Sequence, residues 1–408
     1  MYKPFWISTL LLLLVGVTQA QPKHTYDHPK YDINEVSRVS TSQNTVTCII
    51  YEIDSKHFAY SAGDGNKIDV FSVGEKAKMK PLASYVVTGG KKTIRGLVAD
   101  TIDGQDYLFA GLKGGNAIEV FKINNDGTLK SVFVIEDTPE TYLGTIITLQ
   151  VIHMKEASYL FAGGLERPTR GMSSFKIGKD GSLTHVKSIA DNQEIFTDGI
   201  IGMSIHRIDG RTILMTGGFH DNGLSSWEVF EDGTFKNISN IADSDTRFLN
   251  GTYPVISSSI QGWNFVVVGH RHHSYYKPTP WVKDRKSYYY HGDAVSVFML
   301  NKEGELIPRS VFIDDNETMI QAQTRLHRLP IDEYYDLIAV ATRDNRSIQL
   351  FALTQQGRLY DAGKIKTGLP VYYGLAGQVI NDQLYLFIGS VAGSEFVSYR
   401  LDRIKEKD

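Results

Sequence analysis

The sequence predicts an all-β chain: a seven-bladed β-propeller of four-stranded antiparallel blades, closed by an N-terminal strand that completes the last blade. Three observations predict it. A phrase of the form YLFAG returns about every fifty residues, Asp-Gly turns recur at one place in the period, and the segments between them alternate with period two.

The phrase stands at Tyr107–Gly111 and Tyr159–Gly163. It returns as ILMTG ending at Gly217, FVVVG ending at Gly269, LIAVA ending at Ala341 and YLFIG ending at Gly389, with FAYSA at Phe58–Ala62 as a degraded first copy, seven in all. The turns read NNDGTL, GKDGSL and FEDGTF, with NKEGEL and TQQGRL as looser forms. Asp-Gly between β-rich runs marks a hairpin, because the turn needs positive φ and glycine accepts it without steric cost. Segments such as AIEVFKI and SVFVI alternate like half-buried strands. One period then reads as four strands, near Thr145–Ile152, Ser158–Ala162, Met172–Ile177 and Leu183–Ile189. The last copy stops after its third strand, EFVSYRLDRI. The segment YDINEVSRVS (Tyr31–Ser40) is the spare strand expected to close the ring and remove two open edges.

Residues 1–20 carry Lys3, an apolar run from Ile7 to Val17 and a small-residue ending at Ala20. That is the pattern of a cleaved signal peptide, so a secreted or periplasmic protein is expected, with one propeller domain over 21–408. The apolar run is too short for a comfortable membrane span, and no later run approaches that length. Cys48 is the one cysteine, so the chain has no internal disulfide and must rest on its apolar core; in TVTCII the thiol reads as buried and inert. A net charge of −3 leaves no whole-chain footprint for nucleic acid, and a monomer is expected.

One interval is long. Gly163 to Gly217 is 54 residues, Gly217 to Gly269 is 52, and Gly269 to Ala341 is 72. The excess is the stretch GHRHHSYYKPTPWVKDRKSYYYHGD, an insertion at 270–292 between the second and third strands of blade five. That connection lies on the face where loops surround the channel mouth, and long loops on rigid scaffolds tend to carry function. The insertion holds five basic residues against Asp284 alone, which favours an anionic ligand. His270 and His272 share a face in extended backbone, and with His273, His291 or His220 they could bind a divalent metal, zinc being the first choice. The Asp-Gly turns lack the acidic spacing of a calcium loop. Loops of the same rim bring Arg95, Tyr142, Arg247, Arg325 and Tyr373 from blade-to-blade connections, and His220 and Arg343 from second-to-third strand connections.

The repeat YLFAGxxGGNAIEVFKINNDGTLKSVFVIEDT resembles that of lactonase-like seven-bladed propellers, and their exported relatives in particular. The resemblance implies lactone hydrolysis. The local residues suggest instead β-elimination from a uronate, arginine neutralising the carboxylate while His or Tyr takes the proton. On these readings His270, Arg271, His272 and Tyr275 are the catalytic candidates. Arg95, Tyr142, His220, Arg247, His273, Tyr276, Arg325, Arg343 and Tyr373 are the candidates for holding an anionic carbohydrate or other anionic small molecule. No cofactor is assigned, and a divalent metal (zinc or calcium) is the single candidate. The alternative is a non-catalytic extracellular propeller that binds an anionic glycan or protein. No G-x-S-x-G elbow supports a Ser-His-Asp hydrolase.

Overall fold

The computed structural model describes residues 28–88, 93–165, 170–244, 246–271, 294–315 and 317–405. Among the described residues 28 strands, numbered β1 to β28 in chain order, form seven four-stranded antiparallel sheets. The sheets are the blades of a propeller. Blade three runs Ile146–His153, Ser158–Gly164, Gly171–Ile177 and Leu183–Ala190, within a few residues of the period read from the sequence. The innermost strands are β2 (Thr47–Ile53), β6 (Thr93–Ile102), β10 (Ile146–His153), β14 (Ile200–Ile208), β18 (Thr252–Ile260), β22 (Gln323–Pro330) and β26 (Leu375–Ile380).

The ring closes as expected. β1 (Tyr31–Ser40) pairs antiparallel with β28 (Glu395–Arg403), from Tyr31 opposite Arg403 to Ser40 opposite Glu395, so the N-terminal strand is the outer strand of blade seven.

The same physical device holds every blade. The fifth residue of each third strand is aromatic: Phe71, Phe121, Phe175, Trp227, Phe298, Phe351 and Tyr399. All seven are at most 2% exposed. In the first six blades the register with the outer strand shifts immediately before this residue. Such a bulge increases local twist and re-aims a side chain. Here it coincides with a large ring, and each ring buried between blades contributes roughly 2–3 kcal/mol of apolar burial. Trp227 also donates its indole N–H to Thr216 Oγ1 at 2.9 Å, so its one polar atom is satisfied in the core.

The Asp-Gly turns lock neighbouring blades together. Asp126 Oδ1 accepts from the Thr128 amide at 3.0 Å, and Asp180 and Asp232 repeat the arrangement with Ser182 and Thr234. Gly127 sits at φ +80° with the Phe58 ring of the preceding blade where a Cβ would go, 2.2 Å away. Glycine is required there twice over, by conformation and by space.

Candidate functional site at the channel mouth

The inner strands enclose a cavity of about 430 Å³, lined by residues of β2, β6, β10, β14, β18 and β22. At the face where the inner strands begin, the register of most of them shifts by one residue, leaving Arg95, Ile147, Ile201 and Thr324 out of the pairing; in β18 two residues, Tyr253 and Pro254, are left out. Val46 and Tyr373 hold the corresponding places before β2 and β26, joined by the Tyr373 amide donating to the Val46 carbonyl at 2.8 Å. Val46, Ile147, Ile201, Tyr253 and Tyr373 pack with Phe219 into one buried apolar cluster. This layer closes the channel at its mouth.

The two tyrosines of this layer continue into an aromatic and cationic rim. The Tyr253 and Tyr373 rings stack 5.5 Å apart with an interplanar angle of 11°. Burial pushes Tyr253 up to about 12 and Tyr373 well above the ordinary phenol value, so both stay protonated. The Arg271 guanidinium lies 5.9 Å over the Tyr253 ring and 5.5 Å over Tyr372, and Arg343 lies 5.1 Å over Tyr372. Arg95 forms an ion pair with Asp64 at 2.5 Å, and Asp64 also accepts from Asn44 Nδ2 at 2.6 Å. Arg95 is thus neutralised. Neither Arg271 nor Arg343 has a carboxylate within ion-pair distance among the described residues.

The other predicted residues are dispersed. His270 ends β19 (Trp263–His270) and is 3% exposed; its Nε2 accepts from the Ala294 amide at 2.7 Å, which ties the two stems of the insertion together. His272, His273, Tyr275 and Tyr276 lie outside the described residues, as does the rest of the insertion up to residue 293. Arg247 donates to the Ala242 carbonyl at 3.2 Å within its own loop. Tyr142 is half-buried, its amide donating to Ser173 Oγ at 3.1 Å. Arg325 belongs to the inner strand β22 and lines the cavity below the apolar layer rather than a rim loop. The rim therefore gathers Arg95, Arg271, Arg343 and Tyr373 from the predicted set. It adds Tyr253, which the loop reading misses because Tyr253 lies inside a strand.

His220 lies in a separate cluster. Its Nδ1 is 3.3 Å from Asp198 Oδ1 and its side chain is 6% exposed. Asp191, Asp198 and Asp221 place ligand atoms within 4.8 Å of one another, and such a trio could coordinate a divalent metal. The cluster already contains a cation: Arg170 Nη1 donates to Asp198 Oδ2 at 2.6 Å, and its Nε lies 3.6 Å from Asp191 Oδ2. Burial, with Asp191 next, holds Asp221 protonated far above the ordinary carboxylate range, and its carboxylate oxygen accepts from the Asp198 amide at 2.8 Å. The trio thus carries fewer negative charges than its three carboxyls suggest, and a guanidinium balances them. Among the described residues this trio is the one group that could serve a metal; the Nε2 of His270 is already in use.

No protein-family model and no curated protein matches the sequence. Among solved structures the chain is similar to Raptor from Chaetomium thermophilum, with a TM-score of 0.60 and 11% identity over 93% of this chain and 30% of that one. It is also similar to the WD40 repeats of RRP9, with a TM-score of 0.58 and 12% identity over 92% of this chain and 99% of that one. The chain thus spans under a third of the Raptor chain, and at these identities the likeness is one of fold.

These matches correct the resemblance to exported lactonase-like propellers. The solved structures the chain is similar to include Raptor and a WD40-repeat propeller, and the seven-fold repeat that carried the resemblance is a property of the shared architecture. The expectations of a lactone hydrolase, of a uronate lyase and of any enzyme are corrected with it. So is the expectation of a secreted or periplasmic, carbohydrate-active protein. The physical reason is that repeat phrases report strand packing, which propellers of unrelated activity share. Residues 1–20, which prompted the export reading, lie outside the described residues.

Proposed function

We propose that the chain is a non-catalytic binding propeller whose mouth face receives an acidic segment of a partner protein. The observation that carries this reading is the pair Arg271 and Arg343, both laid against Tyr372 with no carboxylate within ion-pair distance among the described residues. A guanidinium held over a ring loses little freedom on binding, and its remaining N–H groups can serve a carboxylate. The closed layer beneath makes the mouth a shallow platform, which suits side chains presented along a protein surface. The neighbouring sequence adds Lys277, Lys283, Arg285 and Lys286, which favour the same sign of ligand. The acidic trio is a structural cluster in this reading. Were it to hold an ion, its all-oxygen donors would suit calcium better than zinc, and the ion would have to displace Arg170.

The test is a titration of fluorescent glutamate-rich peptide into the purified chain at low and at moderate salt. Binding should weaken with salt, and Arg271→Ala with Arg343→Ala together should reduce affinity by more than about tenfold, as expected for loss of charge-assisted contacts. An oligouronate of equal charge that binds more tightly than the peptide would move the reading to a glycan. No saturable binding of either would end it.

A further inference from the structure

The channel below the apolar layer contains a second cationic feature, independent of the rim. Arg325 of β22 is half-buried, with its Nε buried, and lines the cavity of about 430 Å³. No carboxylate pairs with it among the described residues, and its Nε has no hydrogen-bond partner there. The neighbouring Arg328 differs, because its Nε is bonded to Asp336. Two hydroxyls that line the same cavity, Ser204 Oγ on β14 and Ser257 Oγ on β18, are also buried without a hydrogen-bond partner. Buried polar groups are nearly always satisfied, and a buried charge without a counter-charge is the costliest kind to leave alone. Here three such groups come from three consecutive inner strands and line one cavity.

We infer that the channel binds a small tetrahedral oxyanion, of the class of inorganic phosphate or sulfate, with Arg325 as counter-ion and Ser204 and Ser257 as hydroxyl donors. A tetrahedral anion suits donors arriving from separate strands, whereas a planar carboxylate would need only the guanidinium fork. Cys48 and Tyr373 are the electrostatic neighbours of Arg325, and neither carries a charge at neutral pH: burial pushes the thiol up to about 12 and the phenol well above its ordinary value. His327, on the same strand, is held neutral by burial and by Arg325. So the one uncompensated charge of the cavity is positive. The mouth layer bars this space from the rim, so the anion enters from the opposite end of the channel.

The test uses the whole purified chain. Its melting temperature is followed against sodium phosphate, sodium sulfate and sodium acetate, each matched to sodium chloride in ionic strength, and the ³¹P line of phosphate is followed against protein concentration. The expected result is a saturable rise with phosphate or sulfate, with broadening of the ³¹P line. The rise should be lost in Arg325→Met, weakened by about tenfold in the Ser204→Ala, Ser257→Ala pair, and kept in the Arg271→Ala, Arg343→Ala pair. Should Arg325→Met not fold, the serine pair and the ³¹P line of the unmodified chain decide. A melting temperature that follows ionic strength alone overturns the inference. So does a response to acetate alone, or one lost only with the rim arginines, which would belong to the mouth.

Discussion

The Tyr253 hydroxyl donates to Tyr373 Oη at 2.6 Å, joining blade five to blade seven across the closed mouth of the channel. Both side chains are buried, so the bond is made where water cannot replace it. Each Tyr therefore depends on the other. Tyr373→Phe strands the Tyr253 hydroxyl and should cost about 1–3 kcal/mol, the price of a buried unpaired polar group. Changing both to Phe removes the polar demand and should be milder than the sum of the single changes. Urea unfolding of the two single variants and the double gives the coupling directly. Additive losses would mean that the stacked rings, and not the hydroxyls, carry the contact.

Closure by β1 makes a second expectation. Tyr31 and Ile33 of that strand pack with Tyr399 and Leu401 in one buried cluster that spans blades six and seven. Deleting residues 31–40 bares the β28 edge and this apolar face together. Unpaired edges template association. The deletion variant should therefore be recovered as aggregate on size-exclusion chromatography, where the unmodified chain elutes as a single species. A soluble, cooperatively melting deletion variant would show that blade seven stands on three strands.

Much of this was legible in the sequence, because a propeller writes its repeat in strand-forming residues at one spacing. The strand bounds of blade three, the Asp-Gly turns and the closing strand follow from that alone. Arg271, Arg343 and Tyr373 were legible as rim residues because each lies just before or after a repeat strand, and Arg95, which sits inside β6, because it stands near that strand's start. Arg325 was not placed correctly. In MIQAQTRLH the polar residues look like a loop, yet they form β22, since an inner strand bordering a polar channel need not alternate strictly. The acidic cluster was hidden for another reason. Asp191 and Asp198 share the connection before β14 (Ile200–Ile208), Asp221 comes from the connection before β16 (Gly223–Val229), and the Arg170 that balances them comes from a third, before β12 (Gly171–Ile177). Sequence spacing carries no record of such a meeting.

Arg170 is 11% exposed and sits against two carboxylates, so its removal leaves buried negative charge uncompensated. Arg170→Met should destabilise the chain by about 3–5 kcal/mol, as breaking a buried pair from one side does. Asp221→Asn should be far milder, because Asp221 is already neutral and its oxygen still accepts from the Asp198 amide. Calcium should leave the melting temperature of the unmodified chain unchanged and raise that of Arg170→Met, where the trio loses its resident cation. A calcium-dependent rise in the unmodified chain would instead assign the trio to a metal.

The last expectation concerns acid. Burial, with the charge of Arg325 next, pushes His327 down to about 4 from the ordinary 6.5. Its folded-state value lies below its unfolded one, so between those two pH values the unfolded chain binds the extra proton. The stability that depends on neutral His327 is whole above about pH 6.5 and drains away as the pH falls to about 4, by up to about 3 kcal/mol. Asp221 and Asp243 act with the opposite sign, since burial raises both, Asp243 to about 6, and acid favours their folded forms. The unmodified chain therefore shows only the balance of the three. The difference between its unfolding free energy and that of His327→Gln isolates the histidine. It should fall steadily from pH 6.5 to 4, and less steeply with Arg325→Met in the background, because the neighbouring charge no longer opposes protonation. A flat difference over that interval would mean that the channel solvates the imidazolium and that His327 titrates as freely in the fold as outside it.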